Sequence, residues 1–111
     1  MTQPTAAQRR RLAEITRALG QIGPALPGSL LERHNRCGKA NCRCKQDPPT
    51  LHGPYYQWTR KVDGKTVTRW LSREQHERYQ EWFATAQRAR ALLNEIEKLS
   101  LTIAETAEGW D

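Results

Sequence analysis

All three cysteines of this chain and one of its three histidines fall within the sixteen residues from Cys37 to His52. Their order is a C-x4-C-x-C-x7-H array of Cys37, Cys42, Cys44 and His52. Three thiolates and one imidazole make a complete tetrahedral set for Zn2+. Four protein ligands leave no open position for a reacting water. The array therefore reads as a structural zinc site rather than a catalytic one. His34, three residues before Cys37, is an alternative fourth ligand. His52 is preferred because Gly53-Pro54 follows it and fixes the chain as it leaves the loop. Gly38 lets the backbone bend beside the first ligand. The competing reading is three reduced thiols in a basic loop with no metal.

A staple of this kind suits the rest of the chain. It has 111 residues, of which 37% are hydrophobic, and its mean hydropathy is −0.86. Such a chain forms one domain, residues 1–111, with a core too small to stabilise it alone. No run is long enough to span a bilayer. The opening MTQPTAAQRRR has no apolar stretch of the signal-peptide kind. A cytoplasmic location is expected, where thiols stay reduced. The odd cysteine count also argues against a pure disulfide framework.

Three elements surround the array. Thr5 and Gln8 form a capping box, and Leu12, Ile15, Leu19 and Ile22 then recur on one helical face, predicting a helix over 5–22. Gly23-Pro24 is expected to end it through a left-handed cap. Residues 29–37 fit either a short helix, capped by Ser29 and Glu32, or a strand. Residues 55–71 read as a β-hairpin around an Asp63-Gly64 turn. On its alternating strands Tyr56, Trp58 and Arg60 point one way, and Tyr55 and Thr59 the other. Ser72 and Gln75 cap a last helix over 73–105, with no proline or glycine inside. Tyr79, Trp82, Ala86, Ala89, Leu93, Ile96 and Ile103 keep a heptad register on it, and Phe83, Leu92 and Leu99 widen the stripe. At ~1.5 Å per residue this helix is roughly 50 Å long, more than a small sheet needs. The first helix, a second copy or another protein is needed to cover the excess. His76 and Glu77 at its start are expected to be solvated.

Charge separates the two parts of the chain. Residues 1–72 carry 13 Lys/Arg against 4 Asp/Glu, a net of +9, and residues 73–111 carry 5 against 8, a net of −3. Arg36, Lys39, Arg43, Lys45, Arg60, Lys61, Lys65 and Arg69 fall on the metal loop and hairpin and are the candidate contacts to a polyanion. They form one patch if those elements are adjacent. Some of the loop cations also balance the net charge of about −1 on a zinc ion with three thiolates. Each hairpin aromatic is, singly, also an ordinary core residue. The chain has no P-loop, no dinucleotide-binding glycine pattern and no Ser/His/Asp constellation, so an enzyme is not expected.

Gly28-Ser29-Leu30-Leu31, Arg36-Cys37-Gly38-Lys39, Asn41-Cys42-Arg43-Cys44, His52-Gly53-Pro54-Tyr55-Tyr56 and Gly64-Lys65 together resemble a family of small prokaryotic proteins of unknown function. Its signature runs GSL…RCGKxxCxC…HGPYY…GK, and a long C-terminal helix often follows. The resemblance covers about residues 28–105. It implies a strand before the first cysteine and, through the frequent neighbourhood of mobile-element genes, a DNA-related role by association. It implies no catalytic residues. Ala40 stands where a proline is common in that family.

These readings combine into an α+β protein. An N-terminal helix leads to a zinc-pinned antiparallel sheet of two or three strands over 29–71, then a long amphipathic helix packing antiparallel on the first. The expected function is that of a small basic nucleic-acid-binding accessory protein, with DNA the first candidate and no membrane partner. The alternative is an adaptor or homo-oligomerising subunit that uses residues 79–103 as a coiled-coil face around a purely structural zinc loop.

Overall fold

In the computed structural model of this chain, residues 4–110 are described. Residues 1–3 and 111, and with them both ends of the expected domain and the start of the opening segment, lie outside the described residues. The element order is α1 (Ala6–Gly20), β1 (Ser29–Asn35), a 3-10 turn (Arg43–Lys45), β2 (His52–Val62), β3 (Lys65–Leu71) and α2 (Arg73–Glu108). The protein is α+β, as its sequence implies. The chain divides into two compact units. One comprises residues up to Ala25 with those from Ala84 on, and the other runs from Leu26 to Phe83.

The Leu26–Phe83 unit is built on a three-stranded antiparallel sheet in the order β1-β2-β3. The ambiguous segment before Cys37 is a strand, and its register sets Leu30 against Trp58 and Glu32 against Tyr56. Across the other ladder Trp58 lies opposite Arg69, and Tyr56 opposite Leu71. The hairpin turns at Asp63-Gly64, where Asp63 takes a φ of 51°. Because side chains alternate along a strand, one face carries Tyr56, Trp58 and Arg60 and the other carries Tyr55, Thr59 and Lys61. The first turns of α2 cover the former. Tyr56 is buried and stacks on His76 with ring centroids 3.9 Å apart, and Trp58 meets the buried Phe83 edge-on at 5.7 Å. His76 is thus half-buried against a ring rather than solvated. Glu77, beside it, is exposed as expected and lies 3.9 Å from Arg73.

The entry to this sheet is tightly drawn. The Leu26 N–H donates to the Trp82 carbonyl at 3.1 Å, and the Trp58 indole N–H donates to the Pro27 carbonyl at 2.8 Å. Gly28, at φ +86°, passes so close to β2 that a Cβ there would sit 2.2 Å from the Thr59 carbonyl oxygen. No side chain fits that approach.

In the other unit α1 begins as expected, with both bonds of the Thr5–Gln8 capping box present. It ends earlier than Gly23. The last helical residue is Gly20, and the end is capped by the Gln21 N–H donating to the Ala18 carbonyl and the Ile22 N–H to the Leu19 carbonyl. Gly23 is not among the residues with positive φ. A glycine inside the last turn weakens propagation there, so the helix stops before the Gly-Pro signal is reached. Ile15 is fully buried, whereas Leu12, Leu19 and Ile22 of the same stripe are half-buried. Arg11 joins α1 to the distal part of α2 by a fork of hydrogen bonds to Glu95, one of them 2.7 Å long. That guanidinium holds the Glu95 carboxyl below its ordinary range.

α2 is 36 residues long and ends three residues beyond expectation, closed by the Trp110 N–H on the Glu105 carbonyl at 3.0 Å. The residues it withdraws from solvent do not keep a strict heptad. Phe83, Ala86, Ala89, Leu92, Ile96, Leu99 and Ile103 are buried or half-buried, while Leu93, of the heptad register, is 51% exposed. A straight helix drifts by ~20° per heptad from a 3.5-residue repeat, which carries the inner face from Leu93 to Leu92.

The close approach at Gly28 gives a direct check. Gly28→Ala should cost ~1–3 kcal/mol or more of folding stability through strain and displacement of β2. Gly23→Ala, which meets nothing within 4 Å, should leave stability within ~1 kcal/mol. Thermal unfolding followed by circular dichroism compares the two.

Candidate metal centre

Residues 36–51 connect β1 to β2 with only one short 3-10 turn of regular structure. Connections longer than about 12–15 residues without secondary structure are uncommon in compact folds and call for another source of order. Here the strands close the ends, since Asn35 pairs with His52. From Arg33↔Tyr55 to that pair β1 advances by two residues and β2 by three, so the extra residue is a bulge at Gly53-Pro54. Gly53 sits at φ +128°, and a Cβ there would fall 2.8 Å from the Arg33 carbonyl oxygen. The bulge re-aims the first residue of β2, His52, towards the loop.

Inside the loop the 3-10 turn places Cys44 at its centre, fully buried, with Cys37 and Cys42 half-buried around it. Short backbone bonds hold the shape. The Cys42 N–H donates to the Lys39 carbonyl at 3.3 Å, the Lys45 N–H to Cys42 at 2.9 Å, and the Thr50 N–H to Arg43 at 3.0 Å. The result brings the Sγ atoms of Cys37, Cys42 and Cys44 and a ring nitrogen of His52 within 4.8 Å of one another. The Cys37 and Cys44 sulfurs are 3.7 Å apart, and the Cys42 sulfur is 3.1 Å from His52 Nε2. The Cys37 N–H also points at the Cys44 sulfur, at 3.3 Å.

These distances can be tested against an ion. In a tetrahedron with metal–sulfur bonds of about 2.3 Å and metal–nitrogen bonds of about 2.0 Å, ligand atoms are separated by about 3.8 Å for S–S and about 3.5 Å for S–N. The observed separations lie around those values. The Cys3His cluster can hold a metal ion. His34 is exposed and lies outside the cluster, which settles the choice of fourth residue in favour of His52.

The electrostatics of the cluster's own side chains point the same way. The Cys42 thiol is pulled down to about 6, first by the Cys44 backbone N–H and then by hydrogen bonds from Cys37, Cys44 and His52. The Cys37 thiol is raised instead. The Lys39 backbone draws it down, but the Cys42 side chain, desolvation and the Cys44 side chain together outweigh that pull. One sulfur is eased towards ionisation and its neighbour held back, chiefly because Cys37 keeps its proton to hydrogen-bond the Cys42 sulfur, with desolvation and repulsion between the two adding to the effect.

The eight candidate polyanion contacts divide into two groups. Arg36, Lys39, Arg43 and Lys45 are exposed on the metal loop, with Arg43 and Lys45 flanking the buried Cys44. Lys61, near the end of β2, and Lys65, at the start of β3 opposite Val62, lie at the turn of the hairpin, roughly 30 Å from His52 at ~3.3 Å per residue. Arg60, Lys65 and Arg69 share the face of Tyr56 and Trp58, and the Arg60 guanidinium lies 4.7 Å from the Trp58 ring centroid. Lys61 lies on the opposite face, where its Nζ donates to Thr66 at 2.8 Å. The hairpin and loop are therefore not adjacent at these positions, and a single eight-residue patch does not form. Two residues outside the expected set, Arg33 and Trp70, share the Lys61 face. Trp70 is visible in the sequence as one of the aromatics interleaved with the basic residues of the hairpin, whereas the side of Arg33 follows only from pairing β1 with β2 in register.

The chain belongs to the family described as Domain of unknown function (DUF6788), which it matches over residues 5–81. No curated protein and no solved structure matches it. The family span covers α1, the metal loop, the sheet and the first turns of α2. Among the described residues no helix is long and apolar enough to cross a membrane.

Two outcomes are expected from this geometry. The purified protein should carry one metal ion per chain by elemental analysis, and Cys44→Ser should lose it while His34→Ala keeps it. After chelation, alkylation of Cys42 should rise with pH around a midpoint near 6. Alkylation of Cys37 should require a higher pH than that of an ordinary thiol, as read by peptide mass spectrometry.

Proposed function

We propose that this member of the DUF6788 family is a zinc-stabilised, cytoplasmic nucleic-acid-binding accessory protein that acts by binding rather than by catalysis. Zinc is the ion best suited to three thiolates and an imidazole in a closed tetrahedron. A full protein ligand set favours a structural role for it. The single observation that carries the binding reading is the surface of the metal loop. Arg36, Lys39, Arg43 and Lys45 all face solvent there, and among the described residues none of them forms an ion pair. One formal negative charge at the metal site leaves most of that positive charge available. Fixed cations on a rigid loop attract phosphates and release counterions on contact. DNA is the first candidate, consistent with the mobile-element neighbourhood that the sequence resemblance implies.

A second reading is supported by α2, on which Leu93 and Leu101 are 51% and 54% exposed. In that reading the helix binds a second copy or another protein, and the metal loop serves only the fold.

Fluorescence anisotropy with labelled oligonucleotides tests the first reading. Affinity should fall steeply with salt, with a log–log slope of about −0.7 to −0.9 per phosphate contacted. Arg43→Glu with Lys45→Glu should weaken it at least tenfold without loss of the metal. Absence of retention at low salt, or indifference to charge reversal, would leave the helix-mediated reading.

A further inference from the structure

The face of the sheet opposite α2 carries a feature that the basic loop does not explain. Leu31, Tyr55 and Trp70 stand on it 54%, 44% and 55% exposed. The rings of Tyr55 and Trp70 meet edge-on with centroids 6.4 Å apart. Two hollows adjoin this pair. One, of about 330 Å³, lies where the sheet edge meets the start of α2 and is lined by Pro54, Tyr55, Tyr56, Trp70, Leu71 and Arg73. The other, of about 240 Å³, is bounded by Asn35, Tyr55 and Trp70.

Rings left in solvent beside open hollows are poor core and good stacking platforms. The charge around them selects the occupant. Read from the register, the strand positions of this face include Arg33 and Lys61 and no carboxylate, whereas Glu32 falls on the face towards α2. Arg33 donates to Gln57 at 2.9 Å and so is held along the surface rather than neutralised. The metal loop, with its four exposed cations, joins the sheet at the Asn35–His52 end, close in register to Tyr55. An apolar, ring-bearing surface with only positive charge suits a flexible polyanion that has its own flat groups.

We infer that this face binds single-stranded nucleic acid, with unpaired bases stacked on Trp70 and Tyr55 and phosphates on Arg33 and Lys61. This rests on the nucleic-acid-binding function proposed above and names the form of polymer and the residues that read it. A duplex keeps its base faces buried within its own stack and offers these rings nothing to stack on. Asn35, at the edge of the smaller hollow, is placed to hydrogen-bond a base edge.

The test uses the full metal-loaded chain, a fluorescein-labelled oligothymidylate and a labelled duplex of the same length. Oligothymidylate should bind more tightly than the duplex and quench tryptophan fluorescence. Trp70→Ala and Tyr55→Ala should each weaken it roughly five- to 150-fold, the equivalent of ~1–3 kcal/mol per stacked base. Trp70→Phe should retain most of the affinity, and Trp70→Leu, which keeps apolar bulk without a ring, should lose it. Circular dichroism and metal content confirm that each variant is folded. If neither polymer binds, the proposed function and this inference fall together. If both bind equally, with Trp70→Leu and Tyr55→Ala unaffected and Arg43→Glu with Lys45→Glu defective, the function stands and this inference is overturned. A homodimer dissolved by Trp70→Leu with unchanged oligonucleotide affinity also overturns it, since the face would then be a self-contact.

Discussion

Four ligand atoms drawn into a sphere a few ångströms wide are the constraint on which the sheet of this protein depends. Little else holds the connection between β1 and β2. Its backbone makes a handful of local hydrogen bonds, and Cys44 is the one loop residue buried completely. The Cys42 and Cys37 sulfurs are pushed in opposite directions by their mutual hydrogen bond, Cys42 towards the thiolate and Cys37 towards the thiol. A divalent ion removes that opposition and replaces it with attraction. The cations on the loop surface then do two things. They would offset the residual negative charge of a metal–thiolate centre, and they face outward into solvent.

The sheet shows how a short β structure serves two environments at once. Its α2 side is closed by ring contacts, Tyr56 on His76 and Trp58 on Phe83. Its other side has no covering element within the Leu26–Phe83 unit and keeps large apolar groups in water. Antiparallel sheets tolerate one wetted face, but that face is normally polar. Tyr55, Trp70 and Leu31 depart from this pattern, and the departure is what separates a merely structural sheet from a candidate binding surface.

Local chemistry made much of the fold legible in the sequence. Capping boxes at Thr5 and Ser72 marked both helix starts, because a hydroxyl and an amide three residues apart satisfy specific backbone donors. Asp63-Gly64 marked the hairpin. The metal residues were recognisable because sulfur and imidazole ligands cluster in sequence, and the geometry selects His52 over His34. What was not legible depended on distant pairing. Where β1 sits against β2 decides which side Arg33 faces, and no local pattern encodes that. His76 looked solvated because nothing near it in sequence announces the Tyr56 ring. Heptad spacing on α2 misplaced Leu93 because a straight helix accumulates an angular offset that a strict seven-residue count ignores. Gly20 ended α1 ahead of a stronger stop signal, a matter of weak propagation rather than of turn chemistry.

His52 is at once the fourth member of the cluster and the first rung of the β1–β2 ladder, through its pairing with Asn35. An ion held at that position would therefore brace the end of the strand as well as the loop. The molecule behaves like a buckle whose pin is also the first stitch of the strap. One side chain thus ties the order of the loop to the order of the sheet edge beside it.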